Sequence, residues 1–239
     1  MDKTVVVSII TGSVAFLTAV FAAVFSYISQ RRVKRLEDKL QAERTARKFR
    51  EPLAHAAYDL QSRIFNIVEI GFLNLYLDKG SERTRFYAVK NTLFLVAQYF
   101  AWTELVRHEI QFIDLGEDEE TRRLARLRDS TYAIWQSNEY HPLFRIFAGE
   151  QRAIGERLIR EGPRGPECMG YASFLDFYHE HPDPLLAALE EEIRSLSSSL
   201  EQVRPRLVKL QHSLIDLLAF LDPGEIRFPR ETRTKLEVS

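Results

Sequence analysis

"LEEEIRSLSSSLEQVRPRLVKLQHSLIDLLAFL", residues 189–221, decides the fold. Leu189, Ile193, Leu196, Leu200, Val203, Leu207, Leu210, Leu214, Leu217 and Leu221 follow alternating steps of four and three, so they share one stripe of an α-helix. Upstream, Asp183 stands where it can cap that helix and Pro184 where it can take the first helical position, so one helix is predicted from Pro184 to Leu221. Pro205 falls opposite the stripe, where its missing hydrogen bond faces solvent and the helix can bend around its core. An apolar stripe of this length must be covered by other helices, which makes it the backbone of a bundle.

The preceding segments carry the same period. "EPLAHAAYDLQSRIFNIVEIGFLNLYLDKG" predicts a helix with Pro52 in its first turn and Gly80 just past its end; Leu53, Ala57, Leu60, Ile64, Ile67, Val68, Gly71 and Leu75 form its apolar face. His55, Asp59, Ser62, Arg63 and Asn66 form the opposite face. A second long helix is predicted after Ser81, ending near Gly116, with Leu93 to Trp102 apolar except for Gln98. "EDEETRRLARLRDSTYAIWQSNEY" predicts a third, its acids at the end that the helix dipole favours. "FRIFAGEQRAIGERLIREG" predicts a shorter one closed by Gly162 and Pro163. No alternating strand pattern is evident, and ten Gly and nine Pro in 239 residues leave little material for a turn-rich sheet. The class is all-α.

The N-terminal end has a different solvent. Val5 to Ile28 is an uncharged run of 24 residues, roughly 36 Å as a helix and enough to cross a hydrocarbon core of about 30 Å. Its "MDK" start and its length argue against a cleaved signal peptide. Residues 1–30 are therefore expected to be a transmembrane anchor. The basic excess of Arg31, Arg32, Lys34 and Arg35 on the C-terminal side places that side in the cytoplasm of an inner membrane, with the N-terminus outside. Residues 31–50 carry a net charge of +6 while residues 51–239 carry −7. A basic neck beside an acidic domain suits anionic lipid headgroups, each basic side chain near the surface adding about 1 kcal/mol. Nucleic acid is excluded as a partner by the acidic remainder.

Small residues at Ser8, Gly12, Ala15, Ala19, Ala22 and Ser26 keep the four-three steps, and the stripe continues through Ser29 to Val33, Leu36 and Leu40. In lipid, small side chains let backbones approach; in water, a seam must be apolar, and here it becomes so from Val33 onward. A homo-oligomer joined along this stripe, with a short coiled-coil neck, is the expectation. Residues 51–221 then form the cytosolic bundle and residues 222–239, polar and without periodicity, a flexible tail.

Candidate chemistry is sparse. Cys168, the only cysteine, lies in the loop-like "RGPECMG", so no intrachain disulfide is possible. In "DFYHEHPD", Asp176, His179 and His181, with Glu180 and Asp183, resemble a ligand set, but they end a helix beside Pro182, where His side chains commonly meet terminal carbonyls. Neither a metal nor another cofactor is expected; a metal-dependent hydrolase built on residues 176–183 is the alternative, and an oligomeric pore a further one. A polar constellation of Gln98, Trp102 and Glu109 sits on the long apolar helix, with Arg63 and Arg152 as basic partners that could line a pocket. Phosphate-binding Gly loops, nucleophile elbows and dinucleotide fingerprints are absent.

"PLAHAAYDLQSRIFNI", "AQYFAWTELVRHEIQF" and "GEQRAIGE" together resemble a group of uncharacterised bacterial single-pass membrane proteins with a helical cytosolic domain. The resemblance covers most of residues 50–160. It implies the architecture and no catalytic residue. The expected function is a membrane-tethered interaction, scaffold or regulatory module acting through a protein partner.

Overall fold

A computed structural model describes residues 3–110, 118–163 and 165–238; within these, the side chains of residues 3–19, 38–39, 41–47, 109–110, 118 and 121 are outside the description. The chain is 75% helical, which makes it an all-α fold. It divides into two compact units, Met1–Thr45 and Ala46–Ser239.

Helix α1 covers Lys3–Val68 and contains Pro52. The expected restart at Pro52 does not occur: the ring removes one backbone donor but leaves the helical path intact. In the first unit the side chains of residues 20–28 are all exposed. Among the described residues no helix is long and apolar enough to cross a membrane. Of the run Val5–Ile28, only residues 20–28 have described side chains.

In the second unit α1 ends eleven residues before the expected stop at Lys79. Gly71 adopts φ +69°, a left-handed conformation that ends helices and that glycine accepts most readily. A π-helical turn, Asn74–Asp78, follows, and then α2, Glu82–Ile110. The centre of α2 is the core of the unit: Leu93, Val96, Ala97, Tyr99, Phe100 and Ala101 are all shut off from solvent. Helix α3 is Asp118–Gln136 and α4 is Ala148–Arg157. Helix α4 lies so close to α2 that a Cβ on Gly155 would meet the Phe100 carbonyl carbon and oxygen at 2.7 Å.

The helix predicted to run on to Gly162 instead gives way to an antiparallel hairpin, β1 Ile159–Gly162 with β2 Gly165–Cys168. Four-residue strands containing Gly and Pro have no room for an alternating pattern, and Gly165 supplies φ +95° at the turn. Helix α5, Tyr171–Glu180, follows.

The C-terminal stripe is buried as predicted but lies on two helices, α6 Pro184–Ser195 and α7 Leu200–Leu221. Asp183 caps α6 by accepting the Leu185 and Leu186 amides at 2.9 and 3.1 Å. The interruption falls on residues 196–199, and around it the hydroxyls of Ser195, Ser197 and Ser198 donate to the carbonyls of Glu191, Arg194 and Ser195. Such bonds offer the backbone an alternative to the helical ladder. Leu200 is half-buried, and the other stripe residues are buried around the break. Pro205 is exposed inside α7. Helix α3 packs on α7, while α4 and α6 pack on α2.

Of the segment expected to be a flexible tail, 222–239, the described residues 222–238 pack back onto the helices. Asp222 accepts the Ile226, Arg227 and Phe228 amides at 3.1–3.2 Å and pairs with Arg233. Phe228 stacks on Tyr58 of α1 with ring centroids 4.5 Å apart. Gln61 Nε2 donates to the Thr232 carbonyl at 3.1 Å, and Gln211 Nε2 to that of Thr234 at 2.8 Å. Leu236 is buried. Apolar anchors spaced eight residues apart, held by glutamines on two helices, leave no periodic trace in the sequence.

Candidate functional site

Arg63 sits on the face of α1 opposite the apolar stripe, yet it is only 7% exposed. Its guanidinium lies 3.9 Å from the Phe72 ring centroid and donates to Asn91 Oδ1 at 2.6 Å and Thr92 Oγ1 at 3.3 Å. Burial lowers its pKa, with Tyr87 opposing that shift. Among the described residues, no carboxylate stands at ion-pair distance from it.

Gln98, Trp102 and Arg152, expected in the same polar pocket, do not gather around Arg63. Gln98 and Trp102 are half-buried further along α2, and Gln98 Oε1 has no described hydrogen-bond partner. The Glu109 side chain lies outside the described residues. Arg152 is exposed on α4. It bears on a different carboxylate, Glu104, whose side chain is fully buried. Burial raises the Glu104 carboxyl, but hydrogen bonds and charge from Arg107, with His108 and Arg152 beyond, outweigh it and hold the group below its ordinary value. Arg107 Nε lies 2.9 Å from both Glu104 oxygens, and His108 Nε2 lies 3.1 Å from Oε1. The single expected pocket is therefore two sites, because residues 63 and 152 approach opposite stretches of one long helix.

A second carboxylate, half-buried, escaped the sequence reading. Glu190 of α6 receives Lys90 of α2, Tyr178 of α5 and Arg194, the last at 2.6 Å. Lys90 Nζ also lies 3.6 Å from the Tyr178 ring centroid. Desolvation raises the Glu190 pKa, but these donors outweigh it and hold the carboxyl below its ordinary value. Only the four-residue spacing of Glu190 and Arg194 is visible in the sequence. The cluster ties three helices together.

Two of the candidate metal ligands are engaged elsewhere. Asp183 is spent as the α6 cap and pairs with Arg157 at 2.8 Å, while the His181 ring stacks on Phe177 at 5.2 Å. Among the described residues no group of three or more His, Cys, Asp or Glu side chains is arranged to hold a metal ion. Asp176 and His179 lie on α5 without such convergence. Cys168 is half-buried in β2, and burial pushes its thiol up to about 12, far from a reactive thiolate.

In the first unit, Ala22 and Ser26 are exposed, and so are Val33, Leu36 and Leu40, at 55%, 60% and 46%. Arg31, Arg32, Lys34 and Arg35 are exposed around them. Arg31 stacks over the Tyr27 ring at 4.7 Å. The side chains of Ser8, Gly12, Ala15 and Ala19 lie outside the described residues. No family model, curated protein or solved structure matches the chain.

Proposed function

We propose that the chain is a membrane-tethered, self-associating helical module, with its N-terminus outside the inner membrane and its C-terminal domain presented to a protein partner in the cytoplasm. It acts as a scaffold or regulator and performs no chemistry itself. The observation that carries this reading is the exposure of Val33, Leu36 and Leu40 at successive positions of the seam, among exposed Arg31, Arg32, Lys34 and Arg35. An apolar stripe left open to water on a helix is covered most economically by the same stripe of another copy. The 24 uncharged residues of Val5–Ile28 supply the tether, and the +6 neck supplies the attraction to anionic headgroups. Oligomerisation concentrates the acidic domains and raises their effective affinity for a multivalent partner.

Light scattering on the full chain in detergent tests the reading. The protein mass is expected to be that of two or more chains, with Leu36→Glu lowering it toward one. A monomeric full chain at micromolar concentration contradicts the proposal.

A further inference from the structure

Within the second unit a cavity of about 580 Å³ opens between the end of α1, the π-helical turn and the start of α2. Its volume lies in the range of about 300–1,000 Å³ typical of small-molecule sites. Asn66, Ile70, Phe72, Tyr76, Arg83 and Tyr87 line it. The Phe72 and Tyr76 rings are 5.0 Å apart and tilted by 51°. The cavity exists because Gly71 stops α1 and turns the chain sharply, carrying Phe72 and Tyr76 to a place where Tyr87, on the next helix, can face them.

The electrostatics of this cavity are unusual for the domain around it. Residues 51–239 are acidic overall, yet among the described residues no carboxylate lines the cavity. Arg83 is exposed at the cavity and makes no described ion pair. Behind the wall, the buried Arg63 guanidinium lies 3.9 Å from the Phe72 centroid and 5.5 Å from that of Tyr87, with only neutral hydrogen-bond partners. Acids on the same elements are turned elsewhere: Glu69 pairs with Arg204 at 3.6 Å, and Asp78 accepts from Ser197 at 3.2 Å. Glu82 opens α2 exposed and makes no described pair with Arg83. Two cations without a carboxylate, one of them buried, therefore face or back three aromatic rings. A buried charge left without an opposite charge is costly, and a bound anion would relieve that cost.

We propose that this cavity binds a small organic anion, a planar aromatic ring bearing a carboxylate or phosphate. The ring stacks among Phe72, Tyr76 and Tyr87, the anionic group meets the Arg83 guanidinium, and Arg63 behind the wall supplies further attraction. Arg83 is a binding residue by contact; Arg63 acts through the field and through the placement of Phe72. The proposal does not depend on self-association of the first unit.

Calorimetry on the full chain in phosphatidylcholine nanodiscs, with empty nanodiscs as the blank, tests it using 2-naphthoate, 2-naphthamide, heptanoate and inorganic phosphate. One 2-naphthoate is expected to bind per chain, with the other three at least tenfold weaker. Arg83→Gln, at an exposed position, is expected to weaken 2-naphthoate at least fivefold without shifting the unfolding temperature, and Tyr76→Ala to weaken it as well. Equal affinity for the acid and its amide, for 2-naphthoate and heptanoate, or for the wild-type and Arg83→Gln proteins overturns the proposal. So does the absence of saturable 2-naphthoate binding. Heptanoate matching 2-naphthoate would identify an acyl-chain site open to lipid-derived acids. Phosphate matching it would identify a simple anion site.

Discussion

Arg233 donates from Nη1 to the Asp222 carbonyl at 3.2 Å and from Nη2 to the Asp222 carboxylate, closing the C-terminal segment back onto the end of α7. Both side chains are buried, so removing one leaves the other without its countercharge. Asp222→Asn is expected to destabilise the domain by roughly 3 kcal/mol. Amide hydrogen exchange should show the loss first in residues 226–238.

The same pair sets a pH dependence. Burial raises the Asp222 carboxyl, but the Phe228, Arg227 and Ile226 amides and the Arg233 charge outweigh it and hold it below its ordinary value. A depressed folded-state pKa stabilises the fold above the unfolded value, about 3.9 for aspartate, and that contribution disappears as pH falls through the lower folded value. Exchange protection of residues 226–238 should therefore fall on acidification below about pH 3.9. In Asp222→Asn that local acid response should be absent.

Arg206 gathers the end of α3. Its Nη1 donates to the Ile134 and Trp135 carbonyls at 2.6 and 2.7 Å, and its Nη2 to those of Ser137 and His141 at 3.1 and 3.0 Å. A lysine ammonium cannot span this planar fan of acceptors. Arg206→Lys and Arg206→Met should both cost roughly 3 kcal/mol or more in chemical unfolding, because buried carbonyls lose their donors. Near-normal stability of the lysine variant would show that the fan is not needed.

Two glycines of α4 should respond in opposite directions. A Cβ at Gly155 meets the α2 backbone at 2.7 Å, whereas one at Gly149 meets nothing within 4 Å. Gly155→Ala should destabilise by about 1–3 kcal/mol as α4 is pushed from α2. Gly149→Ala should be neutral or stabilise by up to about 1 kcal/mol through the unfolded chain. Thermal unfolding of the two variants makes the comparison.

These contacts also mark what the sequence could and could not reveal. The leucine stripe of residues 189–221 was legible because burial of a helix face leaves a period. Its break was not: the serine hydroxyls of residues 195–198 compete for the backbone without disturbing that period. Arg63 was legible as a basic member of the polar face, but nothing in α1 alone announces that Phe72 and Tyr87 will cover it. The packed C-terminal segment depends on a few hydrogen bonds to distant helices, which composition does not encode, and the hairpin after α4 pairs strands of only four residues, too short to show a period. Gly71 was the missed clue, placed within an apolar face although it stands where a left-handed helix stop would fall.

The most direct test of the proposed function is disulfide crosslinking in membranes through Ser29→Cys, in the full chain with Cys168→Ser. Efficient crosslinking is expected in that background and with Val14→Ile, which lies off the stripe. It should be strongly reduced by Gly12→Ile, which holds spanning helices apart, and by Leu36→Glu, which places like charges in the seam. Equal crosslinking in all these proteins would contradict association along the stripe.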